Sequence, residues 1–368
     1  MGSLVAAVAA LAGLFLQTAT ASGPTTVFIR SHGTIAAFAQ DGSTMAWFAP
    51  GTRNCNTVHL RSVTDPIGID LPSQTARNVT CRFVRSKRDP IEIAVAGAVD
   101  NVLWSLPQTS PLALDYLLGA GIKPGNRAER RFLEVAHSAR GVGQWLGGIA
   151  GDGDTLAYAV TTVDWADEPG CLAGTGSCAL VKTGGGVYAV RGRTPVLVPN
   201  TGPAVALAVS QGSIAYVPAG GIAKTGKPLA GADVPIEIVD AATGVEITSV
   251  LPQGVPVAIS LSPRVLATLE QTALGLRLAW YDAQTGRVRG AIPVPGATAP
   301  ALTSTDRLVV FHVGRSLRSV DVRTHRVRTL ARAAARPVGL TLEGSRLAWA
   351  ENLDGLSRIR ALYVRGRG

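Results

Sequence analysis

Histidines, cysteines and carboxylates are where catalysis or metal binding would first show. The five histidines, His32, His59, His137, His312 and His325, are scattered, and none stands at metal-ligand spacing from another. The chain has no Gly-x-Ser-x-Gly elbow, no His-Glu-x-x-His, no phosphate-binding P-loop and no EF-hand loop. The sequence therefore nominates no catalytic residue, no metal and no cofactor. His312, within Val309-Val-Phe-His-Val313, reads as a strand histidine satisfied by its neighbours. Gly151-Asp-Gly-Asp154 offers two carboxylates and backbone carbonyls, hard oxygen ligands that suit calcium. Equivalent turns recur without the second Asp, so a tight hairpin turn accounts for the same letters.

The four cysteines point to disulfides and an oxidising compartment. Cys171 and Cys178 enclose Leu-Ala-Gly-Thr-Gly-Ser, a flexible segment that a disulfide would close, and Cys55 and Cys81 then pair by elimination. A four-cysteine metal site is the rival, but no Cys-x-x-Cys spacing exists to support it. The N-terminus agrees with export. An apolar run ends at Leu16, too short for the ~20 residues of a membrane-spanning helix, and Ala19-Thr20-Ala21 supplies small residues for a signal peptidase. The expectation is a signal peptide over 1–21 and a mature domain over 22–368, secreted or in the cell envelope, with no membrane span after cleavage. No Lys or Arg precedes the apolar run, so a buried N-terminal helix is the competing reading. No Cys follows it, which disfavours a lipid anchor.

With 46% apolar and only 16% charged residues, the chain has the composition of a packed protein rather than a disordered one. Short Ala-, Val- and Leu-rich runs broken by Gly, Pro, Asp and Asn suit many short strands. The net charge of +10 is uneven: 301–368 holds 13 Arg, no Lys and 5 acids. Such a bias attracts anionic surfaces such as an acidic polymer or phospholipid headgroups. The simpler reading is that Arg318, Arg323, Arg326 and Arg328 face water on ordinary strands. Nucleic acid is not the expected partner, because aromatics do not interleave with the basic residues.

A repeat positions these residues. Each unit runs apolar strand, tight polar turn, then a second apolar strand often ending Leu-Ala-aromatic. Clear copies are Gln40-Asp-Gly-Ser43 before Met45-Ala46-Trp47, Gly151-Asp-Gly-Asp154 before Leu156-Ala157-Tyr158, and Glu343-Gly-Ser345 before Leu347-Ala348-Trp349. Seven second strands begin at Met45, Val102, Leu156, Ile214, Val265, Leu308 and Leu347, at intervals of 39 to 58 residues. The shorter intervals match one propeller blade. A second hairpin recurs as Asp240-Ala-Ala-Thr-Gly, Asp282-Ala-Gln-Thr-Gly and Asp321-Val-Arg-Thr-His. Gly there permits positive φ, and Asp bonds nearby amides. Four strands per unit predict an all-β fold: one seven-bladed propeller of four-stranded antiparallel blades, the last blade completed by the strand-like Thr25–Arg30. Trp47, Trp104 and Trp349 hold matching repeat positions, as packing between blades would require.

The stretch Asp-Gly-Ser-Thr-Met-Ala-Trp at 41–47, with its echoes at 153–158 and 344–349, resembles the Asp-Gly-x-x-apolar-Ala-aromatic signature of WD40-like repeats in TolB-type propellers. The resemblance implies an exported propeller that serves as a docking surface. The Gly-His and Trp-Asp signatures of eukaryotic WD40 repeats are absent, so that family's partners are not carried over.

The functional candidates are the irregular insertions between second and third strands. Thr161–Thr183 carries Asp164, Trp165, Asp167, Glu168 and the Cys171/Cys178 pair; Pro218–Pro235 carries Lys224 and Lys227. Both emerge on one rim of a propeller, where an aromatic beside acids on a stiffened loop would anchor a partner. The expected function is non-enzymatic binding of an extracellular or envelope protein or polymer. The alternative is a polysaccharide or cyclic-peptide lyase or hydrolase at the axial opening. Against it, the innermost strands read as Ala, Val and Leu, with Ser260, Thr303 and Thr341 as exceptions and no evident acid/base pair.

Overall fold

The computed structural model describes residues 26–31, 33–50, 56–63, 69–71, 91–99, 101–110, 112–121, 130–138, 141–166, 178–191, 194–295 and 301–364. Apart from one 3-10 turn at Gly97–Val99, every regular element among them is a β-strand. After β1 (Thr26–Ser31), the strands β2 (Ala37–Asp41), β3 (Thr44–Pro50), β4 (Asn56–Ser62) and β5 (Ile69–Leu71) make a four-stranded antiparallel sheet in chain order. An eight-stranded sheet follows. Its strands are β6 (Ile93–Ala96), β7 (Asn101–Ser110), β8 (Leu112–Gly121), β9 (Arg130–His137), β10 (Gly143–Asp152), β11 (Thr155–Trp165), β12 (Leu180–Arg191) and β13 (Thr194–Leu197). Its two halves join through one residue pair, Gly143 opposite His137.

The next sheet runs β14 (Ala204–Ser210), β15 (Ser213–Ile222), β17 (Ile236–Asp240), β18 (Glu246–Val250), with β16 (Pro228–Ala230) folded back onto β15. Two further four-stranded sheets are β19 (Val255–Leu261), β20 (Val265–Thr272), β21 (Gly275–Asp282), β22 (Val288–Pro293), and β23 (Leu302–Ser304), β24 (Leu308–Val313), β25 (Ser316–Asp321), β26 (Val327–Arg332). The last holds β27 (Pro337–Glu343), β28 (Arg346–Leu353) and β29 (Leu356–Tyr363), with β1 as its fourth strand, antiparallel to β29. The fold is an all-β propeller of four-stranded antiparallel blades.

The second strands begin within one residue of the seven positions read from the sequence. They are the greasiest strands, and their side chains fill the spaces between sheets: Trp104 and Trp349 are fully buried and Trp47 nearly so, joined by Trp280 of the third strand β21, also fully buried. Phe38, Met45 and Trp47 of the first sheet pack against Ala348, Ala350, Ile359 and Ala361 of the last. Burial of the charges among them is compensated. Glu351, wholly buried, accepts hydrogen bonds from Trp349 Nε1 at 2.7 Å and from the guanidinium groups of Arg358 and Arg360. Glu270, equally buried, accepts from the Thr268 and Tyr281 hydroxyls and from Arg277.

The outer hairpins fold as their letters dictate. Asp240 Oδ1 accepts the amides of Ala242 and Thr243 and the Thr243 hydroxyl at 2.8–3.0 Å. Asp282 does the same with the amides of Gln284 and Thr285, and Asp321 with Arg323 and Thr324. The left-handed residue of each turn is Gly244, Gly286 or His325, at φ 68°, 69° and 58°. Each outer turn also packs on the preceding sheet; a Cβ on Gly244 would lie 2.0 Å from the Pro199 carbonyl oxygen. Antiparallel order places first–second and third–fourth turns at one end of every blade, the turn end. Second–third connections and links between sheets lie at the other, the loop end.

Candidate functional site

The innermost strands surround an axial cavity of about 1020 Å³, lined by residues 36–40, 91–95, 148–152, 205–211, 257–263, 301–307 and 338–343. Most of the lining is apolar, as the sequence indicates. Among its polar exceptions, Ser260 Oγ meets Ser304 Oγ at 2.9 Å, and Thr341 Oγ1 is buried without a partner.

At the turn end the structure corrects the sequence reading. Asp41, Asp152 and Glu343, the last residues of β2, β10 and β27, bring carboxylate oxygens within 4.8 Å of one another. Each also accepts an amide from the first turn of an adjoining sheet: Asp41 from Gly97, Asp152 Oδ2 from Gln211 at 2.8 Å, and Glu343 from Gly42. The acids thus staple neighbouring turns and crowd their charges at the mouth of the cavity. Burial first, then the charges of Asp41 and Asp152, push the Glu343 carboxyl up to about 7. Burial likewise raises Asp152, with Asp41 and Asp154 adding to it against the Gln211 amide. Arg346, which donates to Gln40 Oε1 at 3.4 Å and to the Gly42 carbonyl, offsets only part of this. Three carboxylates so placed crowd negative charge at one point, and their spacing suits oxygen ligands of one divalent cation.

A sequence signal for this cluster existed. All three acids fill one repeat position, immediately before the Gly of the first turn, and equivalent positions converge on a propeller axis. The strand-by-strand reading of the lining as lacking an acid/base pair missed it. Gly151–Asp154 is the hairpin turn expected, with Gly153 at φ 58°, but Asp152 also belongs to the cluster.

The predicted contact residues lie at the opposite, loop end. Asp164 is exposed and Trp165 half-buried at the end of β11; Lys224 and Lys227 are exposed. Asp167, Glu168, Cys171, Cys55 and Cys81 lie outside the described residues, and so does the signal peptide proposed over 1–21. Cys178 is disulfide-bonded, to a partner outside the described residues. The structure brings the two insertions together. Lys182 Nζ, on β12, donates to the Ala219 carbonyl of β15, and the turn 223–227 rests on the link before β10. There Gly226 approaches so closely that a Cβ on it would lie 2.2 Å from the Gly141 Cα. The β16 hairpin that carries the Lys224–Lys227 turn was not foreseen, because three residues pair within a Gly-rich loop.

Two other readings meet the structure. Arg323, Arg326 and Arg328 are exposed as expected, whereas Arg318 is half-buried with Nε unpartnered. His312 is satisfied on one side: Nδ1 bonds the Gly314 carbonyl at 3.0 Å, while Nε2 has no partner, and burial lowers its pKa.

This architecture and axial cavity define a β-propeller. No family model matches the chain, and no curated protein does. Solved structures are similar in fold. The β-propeller domain of the Trilobed protease from Pyrococcus furiosus aligns over 91% of this chain and 94% of its own, at 9% identity and TM-score 0.52. Saccharomyces cerevisiae Sqt1 aligns over 94% and 100% at 10% identity and TM-score 0.46. A prolyl endopeptidase aligns over 86% of this chain and 45% of its own at 13% identity and TM-score 0.48. At these identities the likeness speaks to fold alone.

Proposed function

We propose that the chain is an exported, non-enzymatic binding propeller of seven blades, of the TolB-like type, that docks a protein or envelope polymer at its loop end. The blade count is supported by the single-pair junction of the eight-stranded sheet, which divides it into two four-stranded halves. Contacts of β2 with both β6 and β27 support a closed ring, with β1 completing the last blade. Export rests on the short apolar leader and its small residues. The observation that carries the binding reading is the continuity of the loop end: the β16 hairpin leans onto the neighbouring blade and sets Lys224 and Lys227 on one surface with the end of β11. Rigid, adjoining loops lower the ordering cost of association. The test is binding to an array of envelope polymers and proteins. Trp165→Ala with Lys224→Ala should weaken capture about tenfold and leave the melting temperature unchanged. Equal capture by both forms would sink the reading.

A second reading, hydrolysis or elimination on a polysaccharide or cyclic peptide, gains support from one observation. Glu343, protonated near neutrality beside two other carboxyl groups at the cavity mouth, is the pairing acid–base catalysis requires. Polymer cleavage that disappears in Glu343→Gln would establish it over the binding reading.

A further inference from the structure

The outer rim at the turn end presents an excess of arginine that the fold does not use. The outer turns starting at Asp240, Asp282 and Asp321 have one geometry and one set of Asp and Thr hydrogen bonds. Counted from the turn Asp, Ala242, Val245 and Ile247 correspond to Gln284, Arg287 and Arg289, and to Arg323, Arg326 and Arg328; Ile247 and Arg289 fall at a bulge, whereas Arg328 pairs with Ser319. The first turn carries no arginine of its own, only Arg191 of the preceding sheet donating to its Ala241 carbonyl, so the turn's own positions do not require one. Only Arg289 has a structural task, its ion pair with Asp282. Arg287, Arg323, Arg326 and Arg328 are exposed, and none has an ion-pair partner among the described residues.

The two Arg-bearing turns are also joined. The His325 ring meets Trp280 edge-on at 5.3 Å and sits 3.1 Å from where a Gly290 Cβ would be, so the β25–β26 turn rests on the preceding sheet beside Arg289. The nearby carboxylates are already engaged, Asp282 by Arg289 and Asp321 by Arg307. We infer that this rim, Arg287, Arg323, Arg326 and Arg328, is a docking surface for a linear phosphate-bearing polymer. Guanidinium forks match phosphate oxygens two at a time, and four of them on joined turns suit a chain of regularly spaced charges better than a single ion. The exposed apolar neighbours are Val288 and Val327, and the ring on these turns, His325, is already set against Trp280, so the rim lacks the series of free aromatics on which the bases of a single-stranded nucleic acid stack. The rim is at the opposite end from the loop surface and does not depend on it.

The probe is linear inorganic polyphosphate, with polygalacturonate as the carboxylate counterpart, titrated against the full chain at several salt concentrations. Two variants each lose four positive charges: Arg287→Ser/Arg323→Ser/Arg326→Ser/Arg328→Ser on the rim, and Arg30→Ser/Arg315→Ser/Arg332→Ser/Arg336→Ser elsewhere. Thermal melts confirm that both are folded. The rim variant should bind polyphosphate about tenfold more weakly or worse, with the salt slope shallower by roughly 0.7 per arginine removed. The other variant should stay close to wild type. Absence of polyphosphate binding by the wild type, or equal loss in both variants, would overturn the assignment. Polygalacturonate binding as tight as polyphosphate binding would replace phosphate recognition with recognition of charge alone.

Discussion

Asp282, on an outer turn, accepts two backbone amides and holds Arg289; Glu343, at the axial mouth, meets one amide and two other carboxylates. Burial opposes ionisation at both. At Asp282 it is overcome by Arg289 and the turn donors, which hold the carboxyl down at about 2. At Glu343 burial acts together with Asp41 and Asp152, and the carboxyl rises to about 7. Asp240 and Asp321 follow Asp282 downward, the first chiefly through the Thr243 hydroxyl. The same side-chain chemistry thus does two things at two radii. Outside, each acid is satisfied by its own turn; on the axis, the repeat multiplies an acid onto itself. Charge left over after the fold's hydrogen bonds are counted, acidic at the axis and basic on the outer rim, marks where a ligand can act.

The largest expected effect lies on the outer side. Asp282→Ala removes the acceptor of the Gln284 and Thr285 amides and orphans Arg289, and should cost about 2 kcal/mol in denaturant unfolding, with Asp282→Asn recovering most of it. A neutral Asp282→Ala would break the comparison. Next comes the opposite sign at the axis. Glu343→Gln keeps an acceptor for the Gly42 amide and removes the clash, so it should stabilise the protein at pH 8 by roughly 1–2 kcal/mol, less than full linkage because water at the mouth screens it. The raised carboxyl contributes stability that is complete below its unfolded value and lost as pH rises through about 7. The gain from Glu343→Gln should therefore vanish by pH 4. Asp282 acts the other way, its stability present above the ordinary Asp range and lost as pH falls toward 2; Asp240 and Asp321 shift in the same direction. His312, lowered by burial, adds a pH dependence of its own, so the difference between wild type and Glu343→Gln is the quantity to follow. The smallest effect is at His325, where Gly would relieve a left-handed φ but lose the edge contact with Trp280; His325→Gly should fall within about 0.5 kcal/mol of zero.

Much of the fold was legible because the repeat is written in local chemistry. Asp-x-x-Thr-Gly fixes a turn wherever it occurs, and Leu-Ala-Trp fixes a buried strand, so strand starts from Met45 to Leu347 could be read to within a residue. The β16 hairpin was not, since Pro228–Ala230 has no pattern beyond three residues and is held by β15. The axial acids were legible only in register, not in composition. Asp41, Asp152 and Glu343 stand about 111 and 191 residues apart, and only a radial arrangement makes those separations vanish. On the loop surface, the sequence found Asp164, Trp165, Lys224 and Lys227 as neighbours by topology, and tertiary contact of Lys182 with Ala219 supplied the adjacency it could only assume.

The most direct measurement is a carboxyl-carbon NMR titration of Glu343 in protein labelled at glutamate side chains, with Glu343→Gln giving the assignment. The account predicts a midpoint near 7 that moves down when Asp152 is replaced by Asn. A midpoint in the ordinary glutamate range, or one that Asp152→Asn leaves in place, would contradict it.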